Sequence, residues 1–278
     1  MSRPVKTTEA RPVEIAATGP SAGKAAPQPL PAATGFGAAF SAVYRGQVAR
    51  ARVARAPVLV VATVQSLGLL VLLRGVLDHT TDVTARSVVA GSTVLVVAFV
   101  ALNLLAQRVG ALRAAGLDYY AALPVPPAAV VLGTAASYAT FTVPGATLTA
   151  VVGALLYSLP LVNLWVLAPV LVLSGAALAG LGALLGLLAP RPEIATLAGQ
   201  LGMTLVLFLG LIPAYRFPEP VKVLRALVPS TYGVDALAEA LRTDPSWSTI
   251  AWDLTVCGAV GVVALTLASV VYRRVVGR

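Results

Sequence analysis

Six continuous apolar runs, at about residues 57–77, 87–107, 128–157, 161–189, 194–214 and 251–272, constrain this chain more than any other feature. Each reaches the ~20 residues that an α-helix needs to cross the hydrocarbon core of a bilayer. A backbone in lipid finds no water to bond, so it must satisfy its own N–H and C=O groups, as helices or as a closed barrel. Barrel strands alternate polar and apolar over about ten residues, whereas these runs are apolar throughout. The expected fold class is an all-α integral membrane protein with six transmembrane helices. Its 58% hydrophobic and 11% charged residues agree, since soluble domains carry roughly 45–50% and about 25%. Pro144 and Pro169, inside the third and fourth runs, are expected to kink or interrupt those helices where neighbours can satisfy the freed carbonyls.

The flanks divide the chain into three regions. Residues 1–35 hold Pro4, Pro12, Pro20, Pro27, Pro29 and Pro31 without an apolar core. They read as a disordered tail rather than a secretory signal. In 36–56, Phe36, Phe40, Val43, Tyr44 and Ala51 recur at helical spacing, while Arg45, Arg52 and Arg55 gather mostly on another side. That pattern predicts an amphipathic helix lying in the membrane interface. Residues 57–278 form the six-helix transmembrane domain. With the N-terminus in the cytoplasm, 14 of the 20 Lys and Arg residues fall on the cytoplasmic side, Arg108, Arg113, Arg191, Arg273 and Arg274 among them. The bias of basic residues toward the inside therefore places both termini in the cytoplasm and accounts for the net charge of +9 without nucleic acid. The outer loop 215–250 carries Val221, Leu224 and Leu227, then Pro229, then Val234, Leu237 and Leu241. Two short helices in an extracytoplasmic hairpin are expected there, the second started by the proline.

Chemistry is scarce. Cys257 is the single cysteine and His79 the single histidine, the latter in a short loop with Asp78 and Asp82, so no metal-ligand spacing exists. Gly19–Lys24 lacks the spacing and the following Ser or Thr of a phosphate-binding loop. ATP hydrolysis by this chain is not expected. Thr63, Gln65, Ser66, Asn103, Thr140, Thr142, Gln200 and Thr204 are mild polar groups inside the runs. They suit hydrogen bonds between helices, or the lining of a mostly apolar path. Gly182 and Gly186 form G-x-x-x-G, a close-packing signal within the bundle or across a dimer. Between the second and third runs, 108–127 supplies Leu112, Leu117, Tyr119, Tyr120 and Leu123 as anchors, with Pro124, Pro126 and Pro127 stiffening its end. It reads either as a connector resting on lipid or as a handle for an energy-supplying partner.

Three local patterns resemble the permease subunit of ABC-2 type transporters. They are Gly110-Ala111-Leu112 with Leu123-Pro124-Val125, the junction from Gly186 through Pro190 to Glu193, and Leu227 through Pro229, Tyr232 and Asp235 to Leu237. Gln107-Arg108 stands where an acidic residue is common in that family, and no basic residue follows Pro126. The resemblance implies a bacterial inner-membrane half-transporter that pairs with a second copy or a related permease. It further implies two ATP-binding cassette subunits that carry ATP and Mg, with no cofactor on this chain. The cargo would be a hydrophobic or amphipathic compound, such as a drug, antibiotic, lipid or glycolipid, exported from the cytoplasm or inner leaflet. On this reading Arg108, Leu112, Arg113, Leu117, Tyr119, Tyr120, Leu123 and Pro124 couple to the ATPase. Thr63, Gln65, Ser66, Asn103, Gln200, Met203, Thr204 and Phe208 border the path. An ion-gradient-driven secondary transporter and a non-transporting membrane scaffold are the alternatives.

Overall fold

The computed structural model describes residues 35–54, 56–76, 82–114, 126–212 and 217–276, and every regular element in them is helical. In chain order these are α1 (Phe36–Ala54), α2 (Ala56–Val76), α3 (Asp82–Val97), a π-helix (Ala98–Leu104), α4 (Leu105–Ala114), α5 (Pro127–Leu156), a 3-10 turn (Leu164–Val166), α6 (Leu167–Leu188), α7 (Pro192–Leu211), α8 (Glu219–Leu227), α9 (Pro229–Ala240) and α10 (Trp247–Val276). The tail, His79, Leu117, Tyr119, Tyr120, Leu123 and Pro124 lie outside the described residues.

Among the described residues, five helical stretches are long and apolar enough to cross a membrane: Asp82–Arg113, Ala128–Leu156, Leu164–Leu188, Pro192–Leu211 and Trp247–Val275. The first apolar run forms α2, whose described apolar stretch, Leu59–Gly75, is shorter. The second run is longer than expected, because α3, the π-helix and α4 join into one rod from Asp82 to Ala114. This rod is the centre of the bundle. Its most apolar window is 89% buried, against 33% for Pro192–Leu211 and 28% for Trp247–Val275, and α2, α5, α7 and α9 pack around α3.

Neither proline interrupts its helix. Pro169 falls in the first turn of α6, where its missing N–H has no intrahelical acceptor to lose. Pro144 sits inside α5, which runs unbroken for 30 residues, about 45 Å. That helix ends in a Schellman turn: Ser158 takes a positive φ of 55°, Leu159 N–H bonds Ala154 O at 2.8 Å and Ser158 N–H bonds Leu155 O at 3.3 Å.

Among the described helices α6 and α10 pack together most extensively, and there small residues Ala177 and Gly180 meet Gly261 and Ala264. At their shared starting end Trp165 stacks on Trp247 with centroids 5.6 Å apart. Tryptophans concentrate at membrane–water boundaries. The G-x-x-x-G of α6 packs within the chain. A Cβ on Gly182 would stand 2.6 Å from the Leu102 carbonyl oxygen, and one on Gly186 would stand 2.6 Å from that of Ala106. These glycines thus let α6 lie directly against the backbone of the π-helix and α4.

The two short helices expected in the outer loop are α8 and α9, and they differ in burial. No residue of α8 is buried, whereas α9 buries Pro229, Ser230, Thr231, Gly233, Val234, Ala236, Leu237 and Ala240. It is wedged among α3, α6 and α10.

Candidate functional site at the helix ends around Arg113

The last four C=O groups of an α-helix have no intrahelical partner, and α6 ends with its carbonyls taken by another helix. Arg113, in the final turn of α4, donates through Nη1 to Leu187 O at 2.5 Å and Ala189 O at 2.7 Å. A cation at a helix C-terminus also complements the helix dipole. Beyond Leu188 the chain extends at Ala189 and Arg191. It re-enters a helix at once with Pro192 in the first turn, where proline's fixed φ suits it. The α6–α7 junction is therefore a stiff corner with Pro190 and Pro192 on either side of Arg191. Gly110 of α4 packs onto Ala195 of α7, so α4 touches both arms of that corner.

A chain of side-chain amides continues inward. Gln107 Nε2 donates to Asn103 Oδ1 at 2.9 Å, and Asn103 Nδ2 donates to Gln200 Oε1 at 3.3 Å. Asn103 is buried and belongs to the π-helix, a distortion that recurs at functional sites. This network contains no acid, base or nucleophile. It is suited to transmitting displacement, because moving the end of α4 pulls on the end of α6 through charged hydrogen bonds and on α7 through the amides.

The other expected path residues separate into two groups. Thr63 bonds Leu59 O at 2.8 Å and Ser66 donates to Ser92 O at 2.6 Å; both are buried, as is Met203. Ser66 thereby ties α2 to α3, and Met203 belongs to the apolar core. Gln65, Gln200 and Phe208 are exposed on the chain, and Thr204 bonds Gln200 O within its own helix at 2.9 Å. Of the residues expected to couple to an ATPase, Arg108 is exposed, while Leu112 and Arg113 are half-buried.

A second polar cluster lies where α8 and α9 meet. Arg225 grips Asp235 through both terminal nitrogens, at 2.7 Å and 2.5 Å, and its Nε donates to Leu209 O of α7 at 3.3 Å. Thr231 donates to Arg225 O at 2.8 Å and Tyr232 to Ala226 O at 2.9 Å. The segment from Pro229 to Asp235 is thus a staple holding α8 on α9. Arg225→Met and Asp235→Asn are each expected to lower the melting temperature of the purified chain. The double variant should lose little more than either single one, a coupling of about 2 kcal/mol. Additive losses in that double-mutant cycle would remove the staple role.

Asp253 is the residue that reading by runs misses. It sits in the second turn of α10 with only 8% of its surface exposed, beside Arg225, Asp235 and Glu239. α9 packs against α10 and brings Asp235 and Glu239 into the electrostatic surroundings of Asp253, a neighbourhood that no local pattern announces.

Residues 59–270 match the family model described as ABC-2 family transporter protein. The match runs from α2 nearly to the end of α10 and includes both polar clusters. No curated protein matches the chain.

Proposed function

The chain belongs to the ABC-2 family of transporter proteins, and on that premise we propose that it is the permease half of an ATP-driven exporter for a hydrophobic or amphipathic compound. Family membership and the apolar helices make it a multi-pass membrane subunit that works with an ATP-binding cassette protein. On this reading two such ATPases, carrying ATP and Mg, press on 108–127 from the cytoplasm of a bacterial cell. α2 is then the first of six spans, and α1 rests in the interface.

The observation that carries this reading is the clamp of Arg113 on Leu187 O and Ala189 O. A push on the segment after α4 reaches α6 and α7 through it. The end that holds Arg113 also gathers Gln47, Leu112, Leu187 and Tyr272. Arg191, Arg273 and Arg274 neighbour those positions in sequence, so this is the basic end that the Lys/Arg bias assigns to the cytoplasm. A second permease copy has a face to meet on α7, which leaves Leu197, Leu201, Leu205 and Phe208 exposed at three- and four-residue spacing. Gln200 adjoins that stripe.

Co-expression with an ATP-binding cassette subunit tests the proposal. The two should co-purify in mild detergent, and inside-out vesicles holding both should accumulate a fluorescent lipophilic dye only when ATP is added. Buried Asp253 favours a second reading, an ion-coupled carrier, since buried carboxylates mark ion pathways. Dye accumulation by this chain alone under a proton or sodium gradient would establish that reading and reject the first.

A further inference from the structure

An open-sided groove of about 530 Å³ runs between α1, α5 and α6, within the roughly 300–1,000 Å³ of small-molecule sites. Its walls are aliphatic: Leu132, Ala136 and Val143 on one face of α5, Leu171 and Val172 on α6, with Phe36 and Phe40 of α1 across it. The hydroxyl on the wall is already engaged, because Thr140 donates to Ala136 O at 2.9 Å and pairs with Tyr44 OH at 3.1 Å. The groove therefore offers an occupant no polar partner along its length. No residue of α7 lines it, so it is separate from the Asn103–Gln200 face.

Lining and charge identify the occupant. The lining residues of α5 run from 132 to 143, about 16 Å of helix rise. An alkyl chain lying along them meets an aliphatic wall and needs no polar partner. On α1, which supplies one wall, Arg45 is exposed and follows Tyr44, and residues 15–77 contain no Asp or Glu while holding Arg45, Arg50, Arg52, Arg55 and Arg74. Basic residues at a membrane surface attract anionic headgroups. We propose that the groove seats an acyl chain of an anionic phospholipid, with its phosphate held by Arg45 of α1. The lipid then joins α1 to α5 and α6 as a fixed component of the subunit.

Native mass spectrometry of the full chain, purified in mild detergent, stripped of lipid and supplied with phosphatidylglycerol or phosphatidylcholine, tests this. The chain should retain one phosphatidylglycerol and bind phosphatidylcholine at least about tenfold more weakly, a difference of 1.4 kcal/mol. Ala136→Phe fills the groove and Val172→Trp blocks its rim, where Val172 is 65% exposed. Either should abolish retention in protein that still melts cooperatively. Leu155→Trp, on an exposed apolar surface outside the groove, should leave retention unchanged. Arg45→Glu should erase the preference for the anionic headgroup. Equal retention by the filled and unfilled chains, absence of headgroup preference, or a non-phospholipid compound recovered in its place would each overturn the proposal.

Discussion

Gly182→Val should abolish accumulation of folded protein in the membrane, and Gly182→Ala should already lower its melting temperature. Helix propensity alone predicts the opposite for alanine, a gain of about 1 kcal/mol over glycine in a helix interior. Packing decides the sign. The added Cβ meets two backbone oxygens, Leu102 O at 2.6 Å and Ala101 O at 2.8 Å, and neither can rotate away as a side chain would. They belong to the most buried rod of the bundle, so relief requires moving α6 from the π-helix along its length. Overpacking of this kind costs typically 1–3 kcal/mol, occasionally more, and valine adds two methyl groups to the same collision. Gly258→Ala is the matched control, because its Cβ would meet the flexible tip of Leu173 at 3.3 Å. Size-exclusion profiles of detergent extracts, followed by melting curves, make the comparison. Wild-type behaviour of Gly182→Val would mean that α6 does not lie on the π-helix as described.

Arg113→Met is expected to separate ATP turnover from transport. The variant keeps the length and apolar stem of the side chain but gives up both hydrogen bonds to the end of α6. Charged hydrogen bonds contribute about 1.5–3 kcal/mol each, and water can take over part of that at a helix end. The protein should therefore fold. What it loses is the mechanical link between the segment after α4 and the α6–α7 corner. In proteoliposomes containing the ATPase subunit, hydrolysis should persist while dye transport falls about tenfold or more, an uncoupling worth about 1.4 kcal/mol. Arg113→Lys should recover part of the transport, since an ammonium can also donate to two carbonyls but its stem ends one bond short of the Nη1 that makes both contacts. A parallel fall in hydrolysis and transport, or no fall in either, would remove Arg113 from the coupling route.

Much of the framework is legible in the residues. The apolar runs at 128–157, 194–214 and 251–272 overlap α5, α7 and α10 to within about four residues at each end, and 161–189 contains α6, which starts six residues later after a 3-10 turn, because lipid-compatible helices announce themselves by continuous hydropathy. Val221, Leu224 and Leu227, then Val234, Leu237 and Leu241, mark α8 and α9 by spacing alone. Gly182 and Gly186 announce a close approach. They do not say to what, and only the packed chain identifies the backbone of the π-helix and α4 as the neighbour.

The candidate site was less legible, for a physical reason. Asn103 and Gln200 stand out as polar residues in apolar surroundings, but their contact joins positions 97 residues apart. Thr63, Ser66 and Met203 carry the same marks as path residues and yet lie buried in contacts between helices. Hydropathy measures how readily a residue leaves water; it does not distinguish a neighbouring helix from lipid or a pathway as its destination. The π-helix Ala98–Leu104 likewise has no signature in the residues AFVALNL.

By itself, then, the sequence determined that this chain is helical, lies in a membrane and resembles a transporter permease. Each of these follows from local composition or order along the chain. Only the tertiary structure decided that the second run is the buried axis, that Arg113 closes the end of α6, that Asp253 is buried, and that a groove opens beside α1. Those are properties of which surfaces face each other, and in an almost uniformly apolar chain that choice is made by small residues, hydrogen-bond acceptors and shape.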